Sequence, residues 1–138
     1  MIVLDTNVLS EVIRPTPEPK VLAWLGAQAE DALFTTAISR GEMLYGARIL
    51  PMGRRRENLL HEVEAIFSTD MAGRVLPYDE MAADAHAAIA AARRAQGRRA
   101  SQSDEMIAGI VHSLGATLAT RNTRDFKDCG IALIDPWH

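Results

Sequence analysis

The sequence predicts an α/β fold: a single domain over residues 1–138, with a mostly parallel central sheet of about five short strands flanked by helices. Short apolar runs alternate with segments of helical periodicity, and a helix between two strands lets both run in the same direction. A chain of 138 residues can bury one sizeable core. The composition, 48% hydrophobic and 24% charged, is that of a globular protein and not of a disordered one.

Five apolar runs are predicted as strands because they are too short for helices and end at turn-forming or polar residues. They cover residues 2–4, 33–36, 74–77, 117–120 and 131–134. Between them, apolar residues at helical spacing predict helices over about 8–13, 21–25, 39–50, 57–67, 79–97 and 101–114. Prolines within residues 15–19 end the first helix, and Gly115 ends the last.

The residue content excludes several kinds of site. A single cysteine forms neither an internal disulfide nor a thiolate zinc cluster, and the four histidines are too far apart in sequence for a helical zinc pair. Asp5 interrupts any apolar stretch of signal-peptide length, and no apolar run approaches the roughly 20 residues that cross a bilayer. We therefore expect a cytoplasmic protein without membrane association.

The net charge of −3 argues against a protein that binds nucleic acid by bulk electrostatics alone. Most of the cationic residues are nonetheless arginines, which donate two parallel hydrogen bonds to a phosphate. They cluster at residues 54–56 and at Arg93, Arg94, Arg98 and Arg99. Each cluster is either a phosphate-binding surface or a solvated helix end.

Three carboxylates and one amide follow predicted strands or open predicted helices. Asp5 follows the first strand, Glu42 and Asp104 lie in the first turns of two helices, and Asn122 follows the strand at 117–120. Because ligands of parallel sheets bind beyond the carboxyl ends of the strands, we expect these side chains to converge at that edge.

Each of these residues also has a purely structural interpretation. Ser39 with Glu42 and Ser101 with Asp104 fit capping boxes, and Asp5 is a suitable N-cap for the first helix. Helix capping does not, however, require the residues to meet at one edge of the sheet.

Converging carboxylates predict a bound cation, since they repel one another and destabilise the fold when no counterion separates them. Magnesium is the expected ion, with manganese as an alternative, because both prefer oxygen ligands. Such an ion activates water at neutral pH and neutralises charge on a phosphoryl group. Hydrolysis of a phosphodiester is the chemistry that this set of residues favours.

Four segments together resemble PIN-domain ribonucleases, and more narrowly the VapC toxins of type II toxin-antitoxin systems, including FitB-like members. The segments are MIVLDTN at 1–7, AISxxExxxG at 37–46, SDxxIA at 103–108 and ATRNTxDF at 119–126, with Pro136-Trp137 following. The resemblance implies a single PIN domain and a magnesium-dependent endoribonuclease that hydrolyses RNA. It also implies a homodimer or larger assembly with a VapB-type antitoxin, and contact with operator DNA only through that antitoxin.

The resemblance assigns catalytic roles to Asp5, Glu42, Asp104 and Asn122. Asp5 and Asp104 are then the principal metal ligands, and Glu42 completes the metal site directly or through water. Asn122 stands where some family members have a fourth acidic residue. Because an amide adds no charge, we expect one tightly held ion and not two. Asp125, three residues further on, either substitutes for that acid or caps a short turn, and the turn is favoured.

Three neighbouring residues, Asn7, Thr120 and Arg121, are candidates for positioning the substrate. Each has a structural alternative: a turn amide, a helix cap and a surface arginine respectively.

Two other functions remain open at this point. A phosphatase of the haloacid dehalogenase type also has an aspartate after its first strand, but it needs a second acid two residues later, where this chain has Asn7. A catalytically weak PIN-like module that regulates transcription with its antitoxin is favoured only by Asn122.

Overall fold

The computed structural model describes residues 1–98 and 100–138. Its five strands form one parallel sheet in the order β3-β2-β1-β4-β5. The strands are β1 (Ile2–Leu4), β2 (Leu33–Thr36), β3 (Val75–Leu76), β4 (Thr117–Ala119) and β5 (Ala132–Ile134). The predicted sheet of about five short parallel strands is confirmed, and its central strand is the first one in the chain.

Helices cover the sheet, and no helix in the described part of the chain is long and apolar enough to cross a membrane. They are α1 (Thr6–Val12), α2 (Pro19–Gly26), α3 (Ala37–Arg48), α4 (Arg54–Ala65), α5 (Glu80–Ala95) and α6 (Gln102–Ser113). A π-helical turn at Ile66–Asp70 extends α4, and 3₁₀ turns lie at Glu30–Ala32 and Thr123–Phe126.

The start of α3 differs from the prediction. Thr36 is its N-cap, because the Thr36 hydroxyl accepts a hydrogen bond from the Ser39 backbone N at 3.0 Å. Ser39 is therefore inside the helix and completely buried, and Glu42 lies in the second turn instead of the first. The capping box proposed for Ser39 and Glu42 is wrong, so Glu42 is available for another role.

The sheet is buried on both faces, as parallel sheets are. Successive side chains of a strand point to opposite faces, so Leu4 belongs to the core cluster with α1 and α4, whereas Val3 belongs to the cluster with α6. Because helices cover both faces of the sheet, polar side chains of the strands are found at the strand ends.

A close contact between α5 and α6 fixes the position of α6. A Cβ atom on Gly109 would lie 2.6 Å from the Ala82 carbonyl oxygen and 2.9 Å from the His86 Cβ. Only glycine allows this approach of the two helices. Asp104 lies in the first turn of α6, so the contact also helps to place that carboxylate.

Candidate active site

Asp5 lies at the carboxyl end of the central strand and is 4% exposed. Its backbone N donates to the Ala119 carbonyl at 2.9 Å, which extends the pairing of β1 with β4. Its Oδ1 accepts from the Thr6 backbone N at 2.8 Å, and its Oδ2 accepts from the Thr120 hydroxyl at 2.8 Å. Asp5 therefore does cap α1, and the same carboxylate is held rigidly at the edge of the sheet.

The Thr120 hydroxyl connects Asp5 to the other predicted residues. It accepts from the Asn122 backbone N at 3.0 Å and from the Asn7 amide Nδ2 at 3.3 Å. With both lone pairs occupied, its hydrogen is directed to Asp5. Asn7 in turn accepts from the Arg121 backbone N at 3.3 Å through its Oδ1. The three candidates for substrate positioning thus belong to one network around Asp5.

Glu42 reaches the same edge from α3. Its Oε1 lies 2.8 Å from the Thr6 hydroxyl, which is also 2.9 Å from the Ser39 Oγ. Glu42 is exposed, whereas Ser39 is completely buried and also hydrogen-bonds with Thr36. The residue next to Asp5 therefore holds Glu42 near the end of the central strand.

Asp104 approaches from the N-terminus of α6. Ser101 is the N-cap of that helix, and its Oγ accepts from the Asp104 backbone N at 3.1 Å, as the sequence predicts. The Asp104 carboxyl is half-buried. Its side chain is thus fixed to a helix that packs closely on α5.

The pKa shifts show that these carboxylates interact. Burial raises the pKa of Asp5 to about 6, and the charges of Asp104 and Glu42 add to this rise while the hydrogen bonds from Thr120 and Thr6 oppose it. Burial also raises the pKa of Asp104, with further increases from the charges of Asp125 and Glu42 and a decrease from the Ser101 hydrogen bond. The carboxyl edge of the sheet therefore holds several carboxylates that are partly buried from water, and this favours a bound cation.

The donor set fits a hard divalent ion because every available side-chain ligand is an oxygen. Among the residues that the structure describes, no three His, Cys, Asp or Glu side chains are grouped closely enough to enclose a metal by themselves. Magnesium keeps several of its waters and binds proteins through one or two carboxylates, so a compact cage of side chains is not required.

Asn122 and Asp125 differ in what they contribute. The Asn122 backbone N supports Thr120, and its exposed side chain precedes the 3₁₀ turn. Asp125 is exposed within that turn, and its charge raises the pKa of Asp104. Asp125 is therefore an electrostatic neighbour of the site as well as a turn residue.

Two residues with no individual role predicted from the sequence, Arg93 and Trp137, interact with residues of the candidate site. Arg93 is buried, donates to the Cys129 Sγ at 2.8 Å, and lowers the pKa of Asp104 through its charge. The Trp137 ring lies under the Arg121 guanidinium. A sequence signal was absent because both contacts join segments that are distant along the chain.

The arginine clusters lie on separate surfaces. Arg54 and Arg55 are exposed at the start of α4. Arg94 and Arg98 line a cavity of about 630 Å³, and Arg98 also pairs with Asp128. Arg99 lies outside the described residues.

The fold and the acidic edge define an α/β domain with a candidate metal-dependent site, and the model of the PIN domain family matches residues 2–131. The chain belongs to the PIN domain family, as its motifs predict. This membership removes the basis of the phosphatase alternative.

Within the family, the chain is similar to VapC and FitB toxins. It is 37% identical over 137 residues to a VapC ribonuclease of Sinorhizobium fredii, covering 99% of this chain and 98% of the relative. It is 37% identical over 139 residues to toxin FitB of Neisseria gonorrhoeae, covering 100% and 99%. A solved structure of FitAB bound to a DNA fragment matches with a TM-score of 0.91 and 36% identity, over 100% of this chain and 96% of that one.

Proposed function

We propose that this chain is a magnesium-dependent endoribonuclease, the toxin of a VapBC-type toxin-antitoxin pair. The observation that carries the proposal is the buried Asp5, whose pKa is raised by burial and by the charges of Asp104 and Glu42. A protein gains nothing in stability from such repulsion, so the arrangement favours a cation as part of the working site.

Asp5 and Asp104 hold the ion in this proposal, and Glu42 contributes directly or through water. An Mg²⁺ or Mn²⁺ ion held there would supply activation of water for attack and positive charge to offset that of the phosphate. The carboxylates are suited to this because their oxygens are hard ligands and because Thr120 and Thr6 restrain their orientation.

The neighbouring residues bind and orient the RNA strand. The Asn7 amide and the Thr120 hydroxyl fix the backbone at residues 121 and 122 beside Asp5. Arg121, whose backbone is fixed in this way, then offers a permanent positive charge to a phosphodiester that enters beside Asp5. RNA as the substrate class is supported by the similarity to the VapC ribonuclease.

The test is cleavage of a labelled RNA pool by metal-free protein to which Mg²⁺ is returned. We expect cleavage to depend on Mg²⁺, to stop in EDTA, and to be lost in Asp5→Asn and Asp104→Asn. Asp84→Asn is the matched control because Asp84 is exposed on α5. Full activity of Asp104→Asn, or of the wild type in EDTA, would overturn the proposal.

The proposed assembly is a homodimer or larger complex with a VapB-type antitoxin in the cytoplasm, with operator DNA reached only through the antitoxin. The similarity to toxin FitB and to the DNA-bound FitAB structure supports this. Exposed apolar side chains of Tyr45, Ile49 and Met52, at and after the end of α3, also favour association. Light scattering of the chain alone measures homodimer formation, and light scattering with its co-expressed antitoxin measures formation of the complex. A monomer in both samples would contradict the assembly.

A catalytically weak regulatory module remains the second candidate, favoured by the amide at Asn122. Calorimetric titration with Mg²⁺ separates the two functions, since a pure binding module has no reason to hold Mg²⁺ at Asp5 and Asp104. Binding in the wild type that is lost in Asp104→Asn supports the nuclease.

A further inference from the structure

Arg121 and Trp137 form a pair at the carboxyl ends of neighbouring strands β4 and β5. The Arg121 guanidinium carbon lies 5.2 Å from the centroid of the Trp137 ring. This is within the roughly 6 Å range of a cation–π contact, for which tryptophan is the best partner. The two residues come from segments that the parallel sheet brings to the same edge as Asp5.

The backbone of Arg121 is fixed to the acidic edge. Its N donates to Asn7 Oδ1, and the preceding Thr120 is completely buried and donates to Asp5. The Arg121 side chain is exposed, and Arg121 forms no salt bridge with any residue that the structure describes. No hydrogen bond or salt bridge in the described residues uses its guanidinium, whose charge helps to lower the pKa of Glu11 after the hydrogen bonds from the Glu18 backbone and Arg14. The N–H donors are therefore available to an anion that approaches next to the backbone fixed by Asn7.

The Trp137 ring is a fixed platform for this guanidinium. The Trp137 backbone N donates to Asp135 Oδ1 at 2.9 Å, and the intervening Pro136 is buried. The ring itself is partly buried against the core cluster that contains Leu4. A ring held in this way does not move with the arginine side chain.

The contact uses only one part of the guanidinium. A cation–π contact is made through the positive charge of the group and uses none of its N–H donors as a hydrogen bond. Those donors remain available for two parallel hydrogen bonds to a phosphate. Holding the side chain in place before binding also lowers the entropy lost when a long, flexible arginine is ordered by its ligand.

We propose that Trp137 is a positioning residue for substrate, which holds the Arg121 guanidinium at the acidic edge to bind a backbone phosphate of RNA next to the scissile one. The inference rests on the proposed function and deepens it. It adds to the proposed substrate role of Arg121 a role for Trp137 that acts only through Arg121.

A double-mutant cycle on RNA binding tests this dependence. Trp137→Leu, Arg121→Ala and the double variant are compared with the wild type by fluorescence anisotropy of a labelled random-sequence RNA in EDTA, and by KM and kcat with Mg²⁺. We expect Arg121→Ala to weaken binding by about 10-fold, as for loss of a hydrogen bond to a charged group. Trp137→Leu should weaken it by about 2- to 5-fold, the size of an exposed cation–π contact. Both changes should appear in Kd and KM with little change in kcat.

The double variant separates positioning from a structural effect. If Trp137 acts through Arg121, Trp137→Leu adds nothing to Arg121→Ala, and Trp137→Phe retains most of the binding because it keeps an aromatic face. An equal loss in the Arg121→Ala background, or an unchanged Kd in Trp137→Leu, overturns the inference.

The same measurements distinguish failure of the inference from failure of the proposed function. RNA that is bound but never cleaved overturns the nuclease, while the cycle still decides the role of Trp137 from Kd. Cleavage with an additive cycle overturns only the role of Trp137. A wild type that binds no RNA overturns both.

Discussion

The Thr120 hydroxyl donates a hydrogen bond to Asp5 Oδ2 at 2.8 Å, across a separation of 115 residues in the chain. Thr120 is completely buried, and its own acceptor positions are filled by Asn7 and Asn122. Because both acceptor positions of the Thr120 hydroxyl are filled, its hydrogen can point only to Asp5 and holds that carboxylate in one orientation. The orientation of Asp5 therefore depends on a residue that is not an acid.

Thr120→Val should therefore impair the site while preserving side-chain shape. Loss of the hydroxyl removes the partner of Asp5 Oδ2 and of the two N–H donors, at a cost of about 1–3 kcal/mol in unfolding free energy. Asp5 Oδ1 keeps its hydrogen bond from the Thr6 backbone N. We expect a higher Mg²⁺ concentration for half-maximal cleavage as well as a lower midpoint of urea unfolding. Thr120→Ser keeps the hydroxyl and serves as the control. Equal metal dependence in the Val variant and the wild type would contradict the role of this bond.

Asp5 should make the metal-free protein less stable as the pH rises. Its pKa is raised from 3.8 to about 6, so the folded protein binds this proton more tightly than the unfolded chain does. The protonated carboxyl favours folding below about pH 4, and this contribution is lost as the pH rises through about 6. Two pKa units correspond to roughly 3 kcal/mol. Urea unfolding in EDTA at a series of pH values measures the loss.

Asp5→Asn removes the titrating group and should flatten this profile, whereas Asp84→Asn should keep the wild-type slope because Asp84 is exposed. We expect added Mg²⁺ to restore stability above pH 6, since an ion that binds only the folded state shifts the equilibrium toward it. Identical pH profiles for the wild type and Asp5→Asn would show that Asp5 is not the group responsible.

Asn122→Asp tests whether the amide limits the metal content. A carboxylate at this position adds negative charge near Asp5, where Thr120 already fixes the backbone of residue 122. We expect tighter binding of Mn²⁺ and an increase in stoichiometry by calorimetry. Asn58→Asp, on the exposed surface of α4, adds the same charge elsewhere and should leave binding unchanged. Unaltered affinity and stoichiometry in Asn122→Asp would mean that residue 122 lies outside the metal site.

Gly109→Ala should destabilise the fold, since the added methyl would lie 2.6 Å from the backbone oxygen of Ala82. Forcing such a contact apart costs about 1–3 kcal/mol or more. Gly46→Ala is the matched control within α3, because a Cβ there meets nothing within 4 Å, and it should stabilise by about 0.5–1 kcal/mol. Thermal unfolding of both variants measures the difference. A Gly109→Ala variant as stable as Gly46→Ala would contradict the packing of α6 on α5.

The sheet could be predicted from the sequence because local patterns determine most of it. The strands at 2–4 and 33–36 have the predicted bounds. The strand predicted at 74–77 is shorter, Val75–Leu76, because β3 is an edge strand that pairs only with β2, at two positions. The parallel order then brings Asp5 and the residues after β4 to one edge, which is why the convergence of polar residues could be inferred.

The hydrogen bonds at the site could not be predicted in the same way. Thr36 and Ser39 are both acceptable N-caps, and the choice between them is made by the burial of Ser39 against Thr6. Contacts such as Thr6 with Glu42 depend on the distance between two helices. The sequence pattern of a single helix does not predict its distance from another helix.

The central strand β1 is the first strand to be synthesised, so the candidate site around Asp5 forms only when later strands have been added. Translation proceeds from the N-terminus, so Asp5 is synthesised early and Thr120 late, yet the two must pair before the carboxylate is oriented. Strand pairing over such a sequence separation is also slow to form. A nascent chain that has not yet reached residue 120 therefore contains Asp5 but lacks the hydroxyl that orients it, so the candidate site is assembled only after β4 has been synthesised.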